Sequence, residues 1–160
     1  MNAVIALGSN LGDRRANLAA GIEGLEKHGQ VRASSLVMET PDESGRGPDY
    51  LNTVALLATE IADPRYLLEA LLRIELHCGR DRSQGRNAPR TLDLDLIAVS
   101  GQTGNWDWET PEDLRMLGPE LHLELPHPRG FTRPFVLEPW RALTDAGECG
   151  GVIPGNHSPA

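Results

Sequence analysis

Two aspartates separated by one residue, Asp93 and Asp95, form the most informative pair in this chain. In a β-strand they point to the same face, while Leu92, Leu94 and Leu96 point to the other. Adjacent carboxylates repel each other unless a cation joins them. Mg²⁺ prefers such oxygen ligands and takes part of its shell from substrate phosphates. The pair therefore predicts a Mg²⁺ site beside a phosphate-bearing substrate.

Four arginines lie within the eleven residues just before this strand: Arg80, Arg82, Arg86 and Arg90. Guanidinium groups bind phosphate oxygens well, and carboxylates for a metal beside arginines for phosphate are the components of phosphoryl transfer. The plainer alternative is a half-exposed strand preceded by a solvated loop. The same pair of carboxylates also suits nucleotidyl- and glycosyltransferases, so the motif by itself indicates a metal rather than a reaction.

The bulk properties of the chain exclude several classes of partner. Its 160 residues suffice for one domain with a buried core, and a formal charge of −8 argues against nucleic acid. Cys78 and Cys149 lie far apart, which argues against a cysteine zinc site and a disulfide framework. No run of residues predicts a membrane span or a signal peptide. We therefore expect a cytoplasmic protein without a nucleic-acid or membrane partner.

Apolar periodicity predicts alternating strands and helices. Asp13 is a candidate helix cap, and Pro64 suits the first position of a second helix, which Gly79 ends. The other predicted segments are strands at 3–7, 31–39, 51–59 and 92–99, a loop at 40–49, an irregular acidic stretch at 101–124, and a strand end with a short helix at 135–146.

The order β-α-β-β-α-β predicts an α+β fold with a ferredoxin-like core, arranged as a three-layer α/β/α sandwich. Residues 1–146 are expected to form a single domain. Residues 147–160 are rich in glycine and proline and are expected to be a poorly ordered tail.

Two further segments could bind an anion. Residues 8–12 lie between a strand and a helix, as phosphate loops do, but they lack the Gly-Lys-Ser/Thr of a P-loop, so a tight turn is favoured. In 125–135, His127 stands between two prolines and close to Arg133. A rigid backbone there would direct both side chains toward an anion, and an ordinary proline-rich connection is the equally weighted alternative.

Taken together, these segments resemble the 6-hydroxymethyl-7,8-dihydropterin pyrophosphokinases of folate biosynthesis over residues 1–139. That family has a ferredoxin-like fold. Five motifs occur in the family's order and with near-family spacing. They are 6–11 (ALGSNL), 48–52 (PDYLN), 73–75 (RIE) with 79–80 (GR), 89–95 (PRTLDLD), and 125–129 (LPHPR) leading to 135–137 (FVL).

The resemblance implies a reaction in which the hydroxymethyl oxygen of the dihydropterin attacks the β-phosphorus of ATP, giving AMP and the pterin diphosphate. Asp93 and Asp95 would hold two Mg²⁺ ions, which neutralise charge and align the displacement. Arg80 and Arg90 would stabilise charge on the transferred group, and Arg82 would clamp the nucleotide from a mobile loop.

The remaining assignments by resemblance concern binding. ATP would be contacted by Glu75 near the sugar and by His127 and Arg133 at the phosphates. The pterin would stack between two rings and pair with an amide, which can donate and accept hydrogen bonds at once. These pterin residues are Tyr50, Phe135 and Asn52. ATP and the dihydropterin are the expected partners, and a monomer is the expected assembly.

Several positions depart from the family pattern, and two rival functions stay open. Asn87-Ala88 replace an aromatic and a glycine in the arginine loop, Pro128 replaces a tyrosine, and the acidic residues Asp42 and Glu43 occupy a short loop near the pterin lid. One rival is another metal-dependent transferase, such as a nucleotidyltransferase, which would release pyrophosphate. The other is a non-catalytic ATP- and pterin-binding module of the same fold.

Overall fold

A computed structural model describes residues 1–45, 47–79 and 91–145. Five strands form one sheet in the order β2-β4-β1-β5, with β3 also beside β4, and two more strands form a separate hairpin. The strands are β1 (Asn2–Ser9), β2 (Gly29–Ala33), β3 (Met38–Thr40), β4 (Tyr50–Thr59), β5 (Asp93–Val99), β6 (Gly104–Glu109) and β7 (Glu120–Leu125). The helices are α1 (Arg14–Glu26), α2 (Pro64–His77) and α3 (Pro134–Asp145), with a 3₁₀ helix at Glu112–Leu117.

The first two helices begin where the sequence predicts. The Asp13 carboxylate accepts a hydrogen bond from the Ala16 N–H at 3.1 Å and so caps α1. The Asp63 carboxylate accepts from the Arg65 N–H at 2.9 Å, and Pro64 occupies the first turn of α2, where its missing N–H costs nothing.

All strand pairs in the main sheet are antiparallel, and both faces of the sheet are covered. On one face, leucines of β1, β4 and β5 pack against buried residues of α1 and α2, such as Leu25 and Leu71. On the other face, Val4, Val54 and Ile97 pack against one side of α3. The prediction of an α+β chain with an antiparallel sheet and helices is confirmed. No helix in the part of the chain that the structure describes is long and apolar enough to cross a membrane.

The prediction of an irregular stretch over 101–124 is wrong, because β6 and β7 form an antiparallel hairpin there. Trp106 lies opposite Leu123, and Trp108 lies opposite Leu121. Leu123 and both tryptophans pack against the main core. Acidic residues at the alternate positions face solvent. The period-two alternation of a half-buried strand was therefore present, although the acidic residues obscured it.

Two other predicted segments need correction. The strand predicted at 31–39 is divided into β2 and β3, because the Ser34 hydroxyl accepts from the Leu36 N–H at 3.1 Å and turns the chain. The strand end predicted at the start of 135–146 is instead the first turn of α3. The tail at 147–160 lies outside the described residues.

A hydrogen bond between Trp108 and a buried carboxylate attaches the hairpin to the main core. The Trp108 indole N–H donates to Glu69 Oε2 at 2.9 Å, and Glu69 is only 7% exposed. Trp108→Phe should lower the free energy of unfolding by about 1–3 kcal/mol, because it leaves a buried carboxylate without that donor. Urea unfolding measures the change. Trp106→Phe is the control, and equal losses for the two variants would contradict a role for the hydrogen bond.

Candidate active site

A cavity of about 440 Å³ opens on the sheet face that carries the two aspartates. Its wall brings together side chains from the ends of β4 and β5, from the loops after β3 and β7, and from the start of α3. Seven residues predicted from the sequence line it: Tyr50, Asn52, Asp93, Asp95, His127, Arg133 and Phe135.

The register of the sheet leaves open space between the aspartates and the predicted pterin residues. Gly8 on β1 lies opposite Asn52 on one side and Asp93 on the other, and Ala6 lies opposite Asp95. A Cβ atom on Gly8 would lie 3.2 Å from Asn52 Oδ1 and 3.3 Å from a ring carbon of Tyr50. Gly8 was expected at the start of a tight turn. It lies instead within β1 and forms part of the cavity floor.

The Asn52 amide is held by its own partners. Its Nδ2 donates to Thr40 Oγ1 at 2.8 Å and to the Met38 carbonyl at 3.4 Å, and the residue is 7% exposed. Both donor bonds lie within the protein, so Oδ1 is the atom turned toward Gly8 and the cavity floor. The amide thus presents an acceptor to a ligand.

A β-bulge in β5 anchors the loop that carries His127. Val4 pairs with Ala98 and Ile5 with Leu96, so Ile97 is an extra residue on β5. Its carbonyl accepts a hydrogen bond from the His127 N–H at 2.7 Å. A Cβ atom on Gly130 would lie 2.7 Å from Ile97 Cγ2, so only glycine allows the loop to approach so closely. The aspartates and His127 therefore share one rigid support.

The His127 ring is held in its neutral form. Its Nδ1 accepts from the Arg129 N–H at 3.1 Å, so the proton of the neutral ring lies on Nε2. Burial lowers the pKa of His127 below its usual value, and the positive charges of Arg133 and Arg129 lower it further. Asp93 and Glu124 oppose the shift in pKa without cancelling it. The ring can therefore offer an Nε2 donor to an anion.

Arg133 connects two sides of the cavity. Its guanidinium donates to Glu43 Oε2 at 3.0 Å, across 90 residues of sequence, and its Cζ lies 5.5 Å from the centre of the Phe135 ring. The Glu43 contact was not predicted, because nothing in the sequence indicates which acidic residue of the loop after β3 approaches α3. A phosphate could replace the Glu43 carboxylate as the partner of Arg133.

Of the predicted residues that the structure describes, one is not among those that line the cavity. Glu75 is 1% exposed, and its Oε2 accepts from the Leu94 N–H at 2.8 Å, between the two aspartates of β5. Its predicted contact with ATP stays a prediction. Arg80, Arg82 and Arg90 lie outside the described residues, as do Asn87-Ala88.

The described residues that flank positions 80–90 are in direct contact. The Thr91 hydroxyl donates to the Cys78 carbonyl at 2.9 Å, which joins the residues on either side of the segment. Burial raises the pKa of the Cys78 thiol, with Lys27 opposing, so the thiol is not an activated nucleophile.

The described residues contain no group of three or more His, Cys, Asp or Glu side chains that could hold a metal. Two carboxylates facing a polar cavity nevertheless suit Mg²⁺, because this ion keeps several waters and completes its shell with phosphate oxygens. The donor set therefore fits a metal that arrives with a phosphate substrate.

Comparison with known families matches nearly all of the described chain to one family. Residues 4–145 match the family described as 7,8-dihydro-6-hydroxymethylpterin-pyrophosphokinase. The chain belongs to this family. The match begins within β1 and runs to the end of α3, so it includes every described residue that lines the cavity.

Individual relatives from three bacteria support the same family. The 2-amino-4-hydroxy-6-hydroxymethyldihydropteridine pyrophosphokinase of Mycobacterium tuberculosis is 36% identical over 140 residues, covering 88% of this chain and 71% of that protein. The Pseudomonas aeruginosa protein of the same name is 36% identical over 138 residues, covering 84% and 75%. The Bacillus subtilis protein of the same name is 34% identical over 140 residues, covering 86% and 74%.

The lowered pKa of His127 predicts a pH dependence of stability. As pH falls through about 6.5, the unfolded chain binds a proton at His127 before the folded chain does. This contribution to stability is therefore present above about pH 6.5 and is lost as pH falls toward the folded pKa. Urea unfolding from about pH 7.5 to about pH 5.5 should show a smaller loss for His127→Gln than for the unchanged chain. Identical slopes would contradict the assignment.

Proposed function

We propose that this chain transfers diphosphate from ATP to the hydroxymethyl group of 6-hydroxymethyl-7,8-dihydropterin. As a member of the pyrophosphokinase family it is a diphosphotransferase of folate biosynthesis. In the reaction the hydroxymethyl oxygen forms a bond to the β-phosphorus of ATP. The bond from that phosphorus to the bridging α-phosphate oxygen breaks, AMP leaves with the electron pair, and the hydroxyl proton is released.

One observation supports this proposal most strongly. A single cavity contains a pair of carboxylates, an imidazole and a guanidinium, together with two aromatic rings and an amide. The carboxylates, the imidazole and the guanidinium suit a metal-bound triphosphate. The two aromatic side chains and the amide suit a flat heteroaromatic substrate. The two substrates must meet in one site for direct transfer.

The pterin half of the proposed site is formed by Tyr50, Asn52 and Phe135. The two rings would stack on the pterin faces, and Asn52 Oδ1 would accept from its edge. The open floor at Gly8 supports this placement, because it provides room beside both the amide and Tyr50.

The phosphate half would be formed by His127 and Arg133, and by Arg80, Arg82 and Arg90 as the family resemblance implies. His127 would donate from Nε2, and Arg133 would exchange Glu43 for a phosphate oxygen. Glu75 would contact the nucleotide sugar, as the family resemblance implies. Alternatively, it would help to position Asp93 and Asp95 through its hydrogen bond to the Leu94 N–H.

Asp93 and Asp95 would hold the two Mg²⁺ ions that accompany ATP in the proposed complex. When bound there, Mg²⁺ supplies charge neutralisation on the triphosphate. The leucines on the opposite face of β5 keep both carboxylates turned toward the cavity and so orient them for this purpose.

We also propose that the fold is ferredoxin-like and three-layered. The strand order β2-β4-β1-β5 and the two β-α-β connections, each spanning one intervening strand, support this classification. A monomeric, cytoplasmic enzyme is part of the same proposal.

A turnover assay tests the function. The chain is mixed with ATP, Mg²⁺ and 6-hydroxymethyl-7,8-dihydropterin, and AMP, ADP and pyrophosphate are followed separately. We expect pterin-dependent AMP, and Asp93→Asn should reduce its rate on the order of 10²-fold or more, because the metal ligand is lost. Asp107→Asn, which removes the same charge from the exposed hairpin surface, should leave the rate unchanged.

The alternatives give different products. Pyrophosphate in place of AMP would indicate a nucleotidyltransferase. ATP binding without AMP would indicate a binding module, and either outcome would overturn the proposal.

The floor residue Gly8 provides a second prediction. Gly8→Ala should raise the KM for the pterin at least about 5-fold, because the new Cβ displaces Asn52 or Tyr50 by a few tenths of an ångström. The unfolding temperature should stay the same or rise slightly, since alanine reduces the entropy of the unfolded chain. The KM for ATP serves as the internal control. An unchanged KM for the pterin would place the substrate elsewhere.

A further inference from the structure

Arg14, the first residue of α1, joins β3 to the start of β4. Its Nη1 donates to the Asp49 carbonyl at 2.9 Å, and its Nη2 donates to Glu39 Oε2 at 3.4 Å. Glu39 is the middle residue of β3, and Asp49 immediately precedes β4. One guanidinium therefore binds both sides of the loop that connects these two strands.

The position of Arg14 is unfavourable for the helix that it begins. The positive end of a helix dipole favours acidic side chains in the first turn, but α1 has no acidic residue there and starts with Arg14 and Arg15. These arginines therefore weaken the start of α1 rather than support it. The contacts that Arg14 makes with β3 and β4 give it a role outside its own helix.

The bond to the Asp49 carbonyl fixes the backbone directly before Tyr50. Asn10, which follows β1 and is 1% exposed, adds a second donor, because its Nδ2 donates to the Pro48 carbonyl at 3.2 Å. Two side chains near the start of α1 thus bind successive carbonyls that lead into β4. The side chain of Tyr50, which lines the cavity, extends from this fixed backbone.

The bond to Glu39 acts on the strand that orients Asn52. Glu39 stands between Met38 and Thr40, whose carbonyl and hydroxyl accept hydrogen bonds from Asn52 Nδ2. β3 spans three residues, so it has few ladder hydrogen bonds to hold it against β4. A further contact from α1 therefore limits the movement of the residues that hold the amide.

The ion pair between Arg14 and Glu39 contributes little to the stability of the fold. The two side chains are 31% and 55% exposed, and solvent weakens such pairs. A binding site whose parts are held before the ligand arrives nevertheless loses less entropy on binding. Substrate affinity, rather than stability, should therefore respond to a change at Arg14.

We propose that Arg14 is a positioning residue for the pterin. By binding both sides of the loop between β3 and β4, it holds Tyr50 and Asn52 in the orientation that the substrate meets. This inference rests on the proposed function and adds to it a residue that the substrate does not touch. Arg14 is not among the described residues that line the cavity, so its effect passes through the strands that it joins.

Steady-state kinetics of two matched variants test this role. Arg14→Gln removes the guanidinium, and Arg15→Gln removes the same charge from the exposed neighbouring residue. In Arg14→Gln the KM for 6-hydroxymethyl-7,8-dihydropterin should rise about 5-fold or more, because the pterin residues are no longer preorganised. In Arg15→Gln this KM should stay unchanged. The KM for ATP should stay unchanged in both variants.

The matched pair separates positioning from charge and from structural damage. A long-range loss of positive charge would act on ATP, which is anionic, and it would act in both variants. The unfolding temperatures of both variants should stay close to that of the unchanged chain, since an exposed ion pair and a charge at a helix terminus each contribute little. Equilibrium binding of the dihydropterin, with α,β-methylene-ATP and Mg²⁺ present, adds a readout that does not need turnover. Its Kd should rise in Arg14→Gln alone.

The outcomes are distinguishable. An unchanged KM and Kd for the pterin in Arg14→Gln would overturn the role of Arg14 while leaving the proposed function intact, and so would an equal rise in the KM for ATP. Pterin binding without AMP formation in the unchanged chain would overturn the proposed function, and the Kd values would still decide the role of Arg14. An unchanged chain that does not bind the pterin would overturn both.

Discussion

The alternation of side chains along β5 is the constraint on which the site depends. Because both faces of the sheet are covered, Leu94 and Leu96 must face α1 and α2, and Asp93 and Asp95 must then face the cavity. A register slip of one residue would place two carboxylates in the apolar core, where unpaired charges are costly. The packing that stabilises the fold therefore also selects the face on which the metal ligands lie.

The same strand holds the rest of the site in place. The Glu75 carboxylate accepts a hydrogen bond from the Leu94 N–H of β5. The carbonyl of the extra residue Ile97 accepts one from the His127 N–H and so holds the loop that carries His127. On the other side, Gly8 of β1 separates Asn52 from Asp93 without filling the space between them. Groups suited to phosphate and groups suited to a flat ring thus lie on one rigid frame, as direct transfer between two substrates requires.

The sequence alone predicts the parts of this account that depend on local pattern. The leucine–aspartate alternation predicts β5 and its two faces, and family motifs assemble the cavity residues around it. The sequence alone does not predict contacts between residues that are far apart along the chain. Glu75 resembles a solvated helix charge until α2 packs on β5, and the contact of Glu43 with Arg133 spans 90 residues. The hairpin of β6 and β7 was not predicted, because acidic residues at its solvent-facing positions obscured the alternation of apolar and polar side chains.

A crystal structure of the complex with Mn²⁺, α,β-methylene-ATP and the dihydropterin would test the central claim most directly. The methylene bridge prevents release of AMP, and Mn²⁺ gives an anomalous signal at positions that Mg²⁺ would occupy. We predict metal peaks about 2.0–2.2 Å from oxygens of both Asp93 and Asp95, with the pterin hydroxymethyl group beside the β-phosphate. Metal bound away from β5, or a pterin bound outside the cavity floored by Gly8, would contradict the account.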